Sequence, residues 1–457
     1  MLDRVLRELR DAVGTEHVVL DPAVRASHET DWTGRFTGST PAVLRPSSTA
    51  EVEAIVEVCR GHGIPIVPQG GNTGLVGGGV PADGALVLDM RRFRRIDPVD
   101  TAARQITVGA GVSIEEVQVA AKGAGLRYAI DFGARASATV GGSIATNAGG
   151  INVLRYGSTR EQLLGVEAVL GTGRTVSRLQ GLVKDNTGYH LPGLLCGSEG
   201  TLGVITAARL RLVADHPCAV TALIGFESVR AAVAAVARWR SALDDLDAAE
   251  LMLADGVELV QQVFERRPRF ERRWPALVLI EVSSQVDPTG RIADAVAGVE
   301  GVGEVAVASA ETQRRALWRL REDHTPAIAT VGVPHKFDVT VPAGGLVEFI
   351  DAMPGVVRSR APTASVWMFG HLGDGNIHVN VTGVTGSGDE LDELVYRHVV
   401  EIGGCISAEH GIGRAKARWL SLDRSESELA AMRAIKRGLD PAGVLNPGAV
   451  LTPTRSP

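Results

Sequence analysis

Glycine is concentrated in three stretches of this chain, around residues 70–84, 133–150 and 188–203. The chain holds 54 glycines in 457 residues, well above the usual share of about 7%, and no collagen-like period accounts for them. Because glycine has no Cβ, it permits positive φ and close approach of the backbone to another surface. The three stretches therefore predict backbone that lies against something flat or anionic.

Two of these stretches are predicted to be loops. Residues 68–75 follow a strand and can point successive amides at phosphate oxygens. They match neither the G-x-G-x-x-G pattern of a Rossmann dinucleotide site nor the G-x-x-x-x-G-K-[ST] pattern of a P-loop. The second stretch, residues 139–150, is longer than a structural turn requires. A glycine-rich surface hairpin is the alternative for either loop alone.

Size, charge and cysteine content limit the class of protein. A chain of 457 residues is too long for one ordinary core, so two or three domains are expected. The net charge of −6 gives no general attraction to nucleic acid or anionic membranes. Four cysteines without C-x-x-C spacing indicate free thiols in a reducing compartment. Residues 1–10 have the pattern of an amphipathic helix and not of a signal peptide. No apolar run approaches the roughly 18 residues of a transmembrane segment, so we predict a cytoplasmic protein.

The apolar pattern changes along the chain. Short strands alternate with helices from residue 46 to about 212, and longer units follow from about residue 221. They predict an α+β domain with a largely antiparallel sheet, followed by a helical C-terminal segment. The predicted strands are 221–226, 248–253, 276–283, 304–308 and 335–341, and the predicted helices are 227–243, 288–298 and 311–330. A break near residue 216 divides the chain into domains 1–215 and 216–408 and a segment 409–457 that returns to the first domain.

Two short motifs carry groups suited to metal binding and proton transfer. Residues 369–380 predict strand, tight loop and strand, with His371 and His378 at the two ends of the loop. His378 and Asn380 are two residues apart, so they share a strand face. Glu409 and His410 are adjacent, so both can serve one site only if the chain turns there. Imidazoles and a carboxylate fit zinc, with manganese or iron as alternatives. A structural, hydrogen-bonded histidine is the alternative for each one alone.

Another cluster lies near residues 317–338. Arg321 and Thr325 are four residues apart and would share one face of a helix. Arginine can bind a carboxylate through two parallel hydrogen bonds. The alternative is a solvated helix face on which Arg321 pairs with Glu322 or Asp323.

Four motifs occur in unbroken order, at 69–74 (QGGNTG), 141–150 (GGSIATNAGG), 197–203 (GSEGTLG) and 370–376 (GHLGDGN). With them the chain resembles the FAD-linked D-2-hydroxyacid dehydrogenases of the vanillyl-alcohol oxidase flavoprotein superfamily. The resemblance implies an FAD-binding domain of that type and an α+β substrate domain. Some members tether the flavin through a histidine in the first loop, but this loop carries Asn72 and no histidine. Noncovalent FAD is therefore expected.

The resemblance also implies which residues hold FAD. The first loop would bind the pyrophosphate, and the second loop and residues 197–205 would lie along the rest of the cofactor. The implied FAD-binding residues are Pro68, Gly70, Gly71, Asn72, Thr73, Gly74, Leu75, Thr139, Gly141, Gly142, Ala145, Thr146, Asn147, Gly149, Gly150, Glu199, Gly200, Gly203, Ile205 and Asn446.

For the metal and the base, the resemblance implies that His371, His378 and Glu409 bind a divalent cation and that His410 faces the substrate. Oxidation of a 2-hydroxy acid removes a hydroxyl proton and an α-hydrogen as hydride. A cation lowers the cost of the alkoxide, a neutral imidazole such as His410 can take the proton, and flavin accepts the hydride.

For the substrate, Arg321, Thr325 and Lys336 fall at positions that bind carboxylate in the 2-hydroxyglutarate branch of the family. Relatives that oxidise lactate or glycolate usually lack a lysine equivalent to Lys336. Asn380 and His410 complete the implied substrate-binding set.

The sequence therefore predicts oxidation of D-2-hydroxyglutarate, or a similar D-2-hydroxy acid, to the 2-oxo acid. D-lactate or glycolate dehydrogenase is the alternative within the class. A noncatalytic FAD-binding subunit of a larger oxidase is the alternative outside it. The electron acceptor is left open among a quinone, an electron-transfer flavoprotein or another carrier, and a homodimer is also left open. NAD is disfavoured because no nicotinamide motif is present.

Overall fold

The computed structural model describes residues 2–452 except Asp83, Arg267, Arg269 and Ser387. The chain divides into two units. The first unit comprises Met1–Gly150, Gly157–Asp215 and Glu409–Pro457, and the second comprises Ile151–Tyr156 and His216–Ala408. The C-terminal segment thus belongs to the same unit as the N-terminal half of the chain.

Helices are numbered in chain order. They are α1 Leu2–Val13, α2 Pro22–Glu29, α3 Thr49–His62, α4 Ile114–Gly123, α5 Val140–Thr146, α6 Val153–Tyr156, α7 Thr159–Gln162, α8 Leu191–Leu195, α9 Val229–Ala242, α10 Ala254–Phe264, α11 Thr289–Val296, α12 Glu311–Glu322, α13 His324–Thr330, α14 Leu346–Arg360, α15 Asp389–Glu401, α16 Leu420–Asp423 and α17 Glu426–Leu439.

Strands are numbered in the same way. They are β1 Val18–Val19, β2 Val43–Leu44, β3 Ile66–Gln69, β4 Leu86–Asp89, β5 Gln105–Gly109, β6 Leu126–Arg127, β7 Leu163–Leu170, β8 Thr175–Arg178, β9 Gly203–Arg211, β10 Val213–Ala214, β11 Cys218–Phe226, β12 Leu246–Leu253, β13 Ala276–Ser284, β14 Val302–Ala308, β15 His335–Thr340, β16 Ser365–His371 and β17 Asn376–Thr382.

The first unit contains two four-stranded sheets. One has the order β1-β2-β4-β3, in which β2, β4 and β3 run parallel, and the other has the antiparallel order β5-β9-β7-β8. Helix α3 shows how the local sequence determines where a helix begins and ends. The Ser48 side chain caps it by accepting from the amide of Glu51 at 3.2 Å, and Gly63 ends it at φ 66°. Its buried residues follow the helical period: Val52, Ile55, Val56 and Cys59.

The second glycine stretch is not the long loop that the sequence predicted, since residues 140–146 form helix α5. Thr139 caps this helix by accepting from the amide of Gly142 at 3.3 Å. Val140, Ser143 and Ile144 are buried on one side, which supplies the packing that outweighs the poor helix propensity of glycine. Asn147 ends the helix at φ 51°.

The second unit is built on one seven-stranded sheet in the order β14-β11-β13-β12-β16-β17-β15. Every neighbouring pair in this sheet is antiparallel. All five strands predicted for this part are present as β11 to β15, and the predicted α+β class is confirmed. Part of the core lies between the sheet and helices α10, α12 and α13, with Leu223, Met252, Leu279, Leu320 and Ile328 buried there.

The predicted helix 311–330 is wrong in one respect, because it is divided into α12 and α13 at Asp323. Pro326 explains the division. Its ring would clash with the carbonyl of residue 322 inside a continuous helix, whereas in the first turn of a new helix the missing N–H is not needed. Arg321 and Thr325 therefore belong to two successive helices.

No helix among the described residues is long and apolar enough to cross a membrane.

The short helix α6 is part of the second unit and carries a buried ion pair. Nη1 of Arg155 donates to Asp247 Oδ1 at 2.8 Å and to the carbonyl oxygen of Ser283 at 2.9 Å. Asp247 is 1% exposed. Removing one partner of such a pair leaves a charge buried without compensation.

We expect Asp247→Ala to lower the free energy of unfolding by about 3–5 kcal/mol, because it strands the Arg155 guanidinium. Glu393→Ala is the control. It removes an exposed ion pair with Arg397, for which a loss of no more than about 1 kcal/mol is expected. Urea denaturation of both variants measures the difference, and similar losses would contradict the prediction.

Candidate active site

The first glycine loop approaches a neighbouring backbone so closely that side chains are excluded. A Cβ added at Gly70 would lie 2.1 Å from Oγ1 of Thr139, and one added at Gly71 would lie 1.9 Å from the carbonyl oxygen of Ser137. Asn72 follows at φ 53°. The loop after β3 and the start of α5 therefore form one glycine-lined cradle, as a flat, anionic cofactor requires.

A buried polar network closes this loop. Gln69 donates through Nε2 to the carbonyl oxygens of His28 at 3.0 Å and Gly79 at 2.9 Å. Its Oε1 faces Nδ1 of His28 at 2.5 Å. Burial lowers the pKa of His28, so the ring is neutral and donates through Nδ1. The network connects the start of the loop to residue 79. The sequence had predicted no role for His28.

Glu199, which the sequence assigned to FAD, turns its carboxylate toward the C-terminal segment. Oε1 accepts from the amide of Ile412 at 2.7 Å and Oε2 accepts from the amide of Gly413 at 2.8 Å. Burial raises the pKa of Glu199, and the two amides offset this only in part. Asn446 joins the same region by donating to the carbonyl oxygens of Gly78 and Glu199, each at 2.8 Å.

Glu409 and His410 precede the two residues whose amides bind Glu199, and they lie outside any helix or strand. The amide of Gly150 donates to Glu409 Oε2 at 3.1 Å, and Glu409 Oε1 lies 3.7 Å from His410 Nε2. Gly411 and Gly413 follow at φ 82° and 51°. The chain therefore turns at this motif, and the alternation of a strand does not apply to it.

One face of the second unit's sheet carries a row of polar side chains. Directly opposite residues of antiparallel strands project to the same face, so the register of β15, β17, β16 and β12 defines this row. Its polar members include Lys336, Asp338, Asn376, His378, Asn380, His371 and Glu250.

The placement of His378 differs from the prediction. His371 is the last residue of β16, but the residue opposite it is Asn376, and His378 lies two residues further along β17. The four-residue loop 372–375 leaves Asn376 at its end because Gly375 takes φ 80°. The two imidazoles nevertheless share the face, and their ring centroids are 5.4 Å apart.

Each imidazole has a carboxylate beside it. Nδ1 of His371 contacts Oε1 of Glu250 at 2.6 Å, and Nδ1 of His378 lies 3.6 Å from Oδ1 of Asp338. Asn376 donates to the same Asp338 oxygen at 2.8 Å. Histidines that ligate metals are commonly held by a carboxylate in this way. His371, whose Nδ1 is held by Glu250, therefore offers an imidazole nitrogen of the type that a divalent cation binds.

Arg321 lies over this face but is already engaged. Nε donates to Oε2 of Glu250 at 2.8 Å, and the guanidinium carbon lies 4.5 Å from the ring centre of Phe369. Burial alone would raise the pKa of Glu250, but His371 and Arg321 outweigh it and the pKa lies below its ordinary value. Thr325 is half-buried in α13.

Asn380 has an unsatisfied polar atom. The residue is 4% exposed, and its Nδ2 has no hydrogen-bond partner among the residues that the structure describes. A buried donor without a partner costs about 1–3 kcal/mol. Lys336 lies directly opposite Asn380 on β15. This position fits the acceptor oxygen of a polar ligand.

Sequence reasoning assigned no role to Glu250 or Asp338. The sequence could have indicated a role for both, because each is an acidic residue within an apolar strand, and a buried acid is seldom without a partner. Asp338 is also two residues from Lys336 and so shares its face.

Residues 405–408, the last of the second unit, run beside strand β15. Thr340 and Cys405 exchange backbone hydrogen bonds of 3.2 and 2.9 Å, and the amide of Ala408 donates to the carbonyl oxygen of Asp338 at 3.2 Å. Glu409 is the next residue of the chain.

Comparison with known proteins gives the family. Residues 40–178 match the FAD binding domain, and residues 216–450 match the C-terminal domain of FAD linked oxidases. A D-2-hydroxyglutarate dehydrogenase of Xanthomonas citri pv. viticola is 36% identical over 98% of this chain and 97% of its own. A putative mitochondrial D-lactate dehydrogenase of Schizosaccharomyces pombe is 34% identical over 93% of this chain and 85% of its own.

Solved structures agree on the fold. The 4-ethylphenol oxidase of Gulosibacter chungangensis has a TM-score of 0.76 over 98% of this chain and 97% of its own, at 19% identity. The two domain matches and the 36% identity to the Xanthomonas relative show that the chain belongs to the FAD-linked D-2-hydroxyacid dehydrogenases. The predicted family, fold class and oxidoreductase activity are confirmed. Cytoplasmic location, noncovalent attachment of FAD and the individual site residues stay predictions.

We expect Gly71→Ala to weaken FAD binding by about tenfold or more, because the loop must move away from Ser137 at a cost of about 1–3 kcal/mol. Gly61→Ala is the control, since a Cβ there meets nothing within 4 Å. Flavin absorbance per protein after purification, with circular dichroism to check folding, measures the effect. Full flavin occupancy in Gly71→Ala would contradict the prediction.

Proposed function

We propose that this protein oxidises D-2-hydroxyglutarate, or a similar D-2-hydroxy acid, to the 2-oxo acid with FAD and a divalent metal. The observation that carries the proposal is the polar row on the sheet of the second unit, where imidazoles, a lysine and an unsatisfied asparagine share one face. The Xanthomonas relative's name, a D-2-hydroxyglutarate dehydrogenase, supports the substrate.

The proposed metal ligands are His371, His378 and Glu409, with zinc preferred for this nitrogen and oxygen set and manganese or iron as alternatives. The bond of His371 to Glu250 supports its role, because it commits Nδ1 to the carboxylate and leaves Nε2 as the ligand atom. A divalent cation, when bound, supplies positive charge that stabilises the alkoxide form of the substrate.

The proposed base is His410. Its imidazole takes the hydroxyl proton of the substrate, and the C–H bond breaks with its electron pair leaving as hydride. FAD, when bound, would supply the hydride acceptor. The turn at Gly411 and Gly413, held by Glu199, keeps His410 in position.

The proposed substrate contacts are Arg321, Thr325, Lys336 and Asn380. Nε of Arg321 already bonds Glu250, so its η nitrogens are the groups assigned to a substrate carboxylate. Asn380 would donate to a substrate oxygen through Nδ2. A dicarboxylate brings a second anionic group whose desolvation is unfavourable without such contacts.

One of the two alternatives has specific support. The D-lactate dehydrogenase name of the Schizosaccharomyces relative favours a monocarboxylate substrate. A noncatalytic FAD-binding subunit is disfavoured because such a subunit has no need of a complete metal and base set. The proposal includes reoxidation of the flavin by a quinone, an electron-transfer flavoprotein or another carrier. It also includes assembly as a homodimer.

We expect His378→Ala to lose the metal, to keep its flavin and to reduce that flavin about 100-fold or more slowly, since a cation contributes several kcal/mol to the transition state. His398→Ala is a control histidine from helix α15. Elemental analysis and anaerobic stopped-flow absorbance measure both effects. Full activity in protein free of divalent metal would refute the metal site.

We expect a higher kcat/KM for D-2-hydroxyglutarate than for D-lactate, in an anaerobic screen of D- and L-2-hydroxy acids that follows flavin bleaching. Lys336→Ala should lower the value for the dicarboxylate by roughly 10- to 100-fold, as expected for the loss of one charge-assisted hydrogen bond, and should affect lactate less. Lys122→Ala, in helix α4, serves as the control. Better turnover of D-lactate, or equal penalties on both acids, would favour the lactate alternative.

A further inference from the structure

One buried carboxylate of the second unit contacts two side chains of the proposed site. Glu250 lies in β12 and is 1% exposed. Its Oε1 contacts Nδ1 of His371 at 2.6 Å, and its Oε2 accepts from Nε of Arg321 at 2.8 Å. The proposed metal ligand and the proposed carboxylate-binding cation therefore share one anion.

Burial makes both contacts necessary. A carboxylate removed from water is tolerated only when it is paired and hydrogen-bonded. The Arg321 guanidinium is always charged and pairs with Oε2 at 2.8 Å, so Glu250 is the anion of a buried ion pair. Each oxygen then has a donor, and neither partner can leave without stranding a charge.

The contact with His371 also determines which ring nitrogen is protonated. An ionised carboxylate can only accept, so Nδ1 of His371 carries the proton and the lone pair lies on Nε2. A neutral imidazole in this tautomer is the form that binds a metal.

The contact with Arg321 orients the guanidinium in the same way. This group is planar, so fixing Nε fixes the directions of both η nitrogens. Its position over the ring of Phe369 at 4.5 Å limits rotation further. An arginine held in this way loses less conformational entropy when it binds an anion.

We propose that Glu250 is a positioning residue that orients the metal-binding nitrogen of His371 and the anion-binding edge of Arg321 together. This inference rests on the proposed function and deepens it. One substitution at Glu250 then weakens metal binding and recognition of a dicarboxylate at once, because Glu250 acts through both His371 and Arg321.

Glu281 provides a matched control. It lies on β13, the neighbour of β12, and shares the sheet face of Glu250. It also contacts helix α12, because Oε2 accepts from Nη1 of Arg314 at 3.1 Å and from Nε1 of Trp318 at 2.9 Å. Both acids therefore hold α12 against the sheet. Among the described contacts, the one with His371 belongs to Glu250.

The test compares Glu250→Gln with Glu281→Gln in the full-length, FAD-loaded protein. A glutamine at position 250 offers one acceptor oxygen to two donors and turns its NH2 group toward one of them. We expect its Zn²⁺ affinity, measured by competition with a chelator, to fall by about 10- to 100-fold. Its KM should rise more for D-2-hydroxyglutarate than for D-lactate. Glu281→Gln should change neither quantity, even if both variants melt at lower temperature.

Two results would overturn the proposal: wild-type Zn²⁺ affinity and KM in Glu250→Gln, or equal losses in Glu250→Gln and Glu281→Gln. If Glu250→Gln does not fold, Glu250→Asp keeps the charge but withdraws the carboxylate by one methylene, and the same losses are expected. A wild-type protein that binds no Zn²⁺ refutes the proposed metal site before any variant is compared. In that case the KM values of Glu250→Gln alone test whether Glu250 orients Arg321. KM values equal to those of the wild-type protein would reject that role.

Discussion

Antiparallel pairing of β15, β17, β16 and β12 is the constraint on which the chemistry of the second unit depends. Opposite residues share a face, so the register alone brings Lys336, Asn380, His378, His371 and Glu250 into one row. Glu250 and His371 are 121 positions apart in the chain. A slip of one residue between β16 and β17 would turn Lys336, Asn380 and His378 away from the face of His371 and Glu250. The tight loop at 372–375 fixes this register.

The first unit depends on a different constraint, the close approach of one backbone to another. A Cβ at Gly71 would meet a carbonyl oxygen at 1.9 Å, and one at Gly413 would meet the carbonyl oxygen of Val76 at 2.2 Å. The second contact joins the C-terminal segment to the glycine loops, and Glu199 and Asn446 strengthen the same junction. The residues around His410 are therefore held by the framework that is proposed to hold FAD.

Two buried acids show how the surroundings determine the state of a carboxylate. Glu199 is satisfied by amides, which only partly offset burial, and its pKa is raised. Glu250 is satisfied by Arg321 and an imidazole, which outweigh burial, and its pKa is lowered. The carboxylate of Glu199 binds backbone amides of the C-terminal segment, and that of Glu250 compensates the positive charge of Arg321.

The sequence by itself determined the α+β class, because it follows from the period of apolar residues, and its four motifs carried the resemblance that gave the family. It did not reveal that Glu250 joins His371 to Arg321, or that Asp338 lies beside His378. Those contacts depend on strand order and register, which local patterns do not specify. It also missed helix α5 and the break at Asp323. In the first case tertiary packing outweighed glycine propensity, and in the second the position of Pro326 decided where one helix ended and the next began.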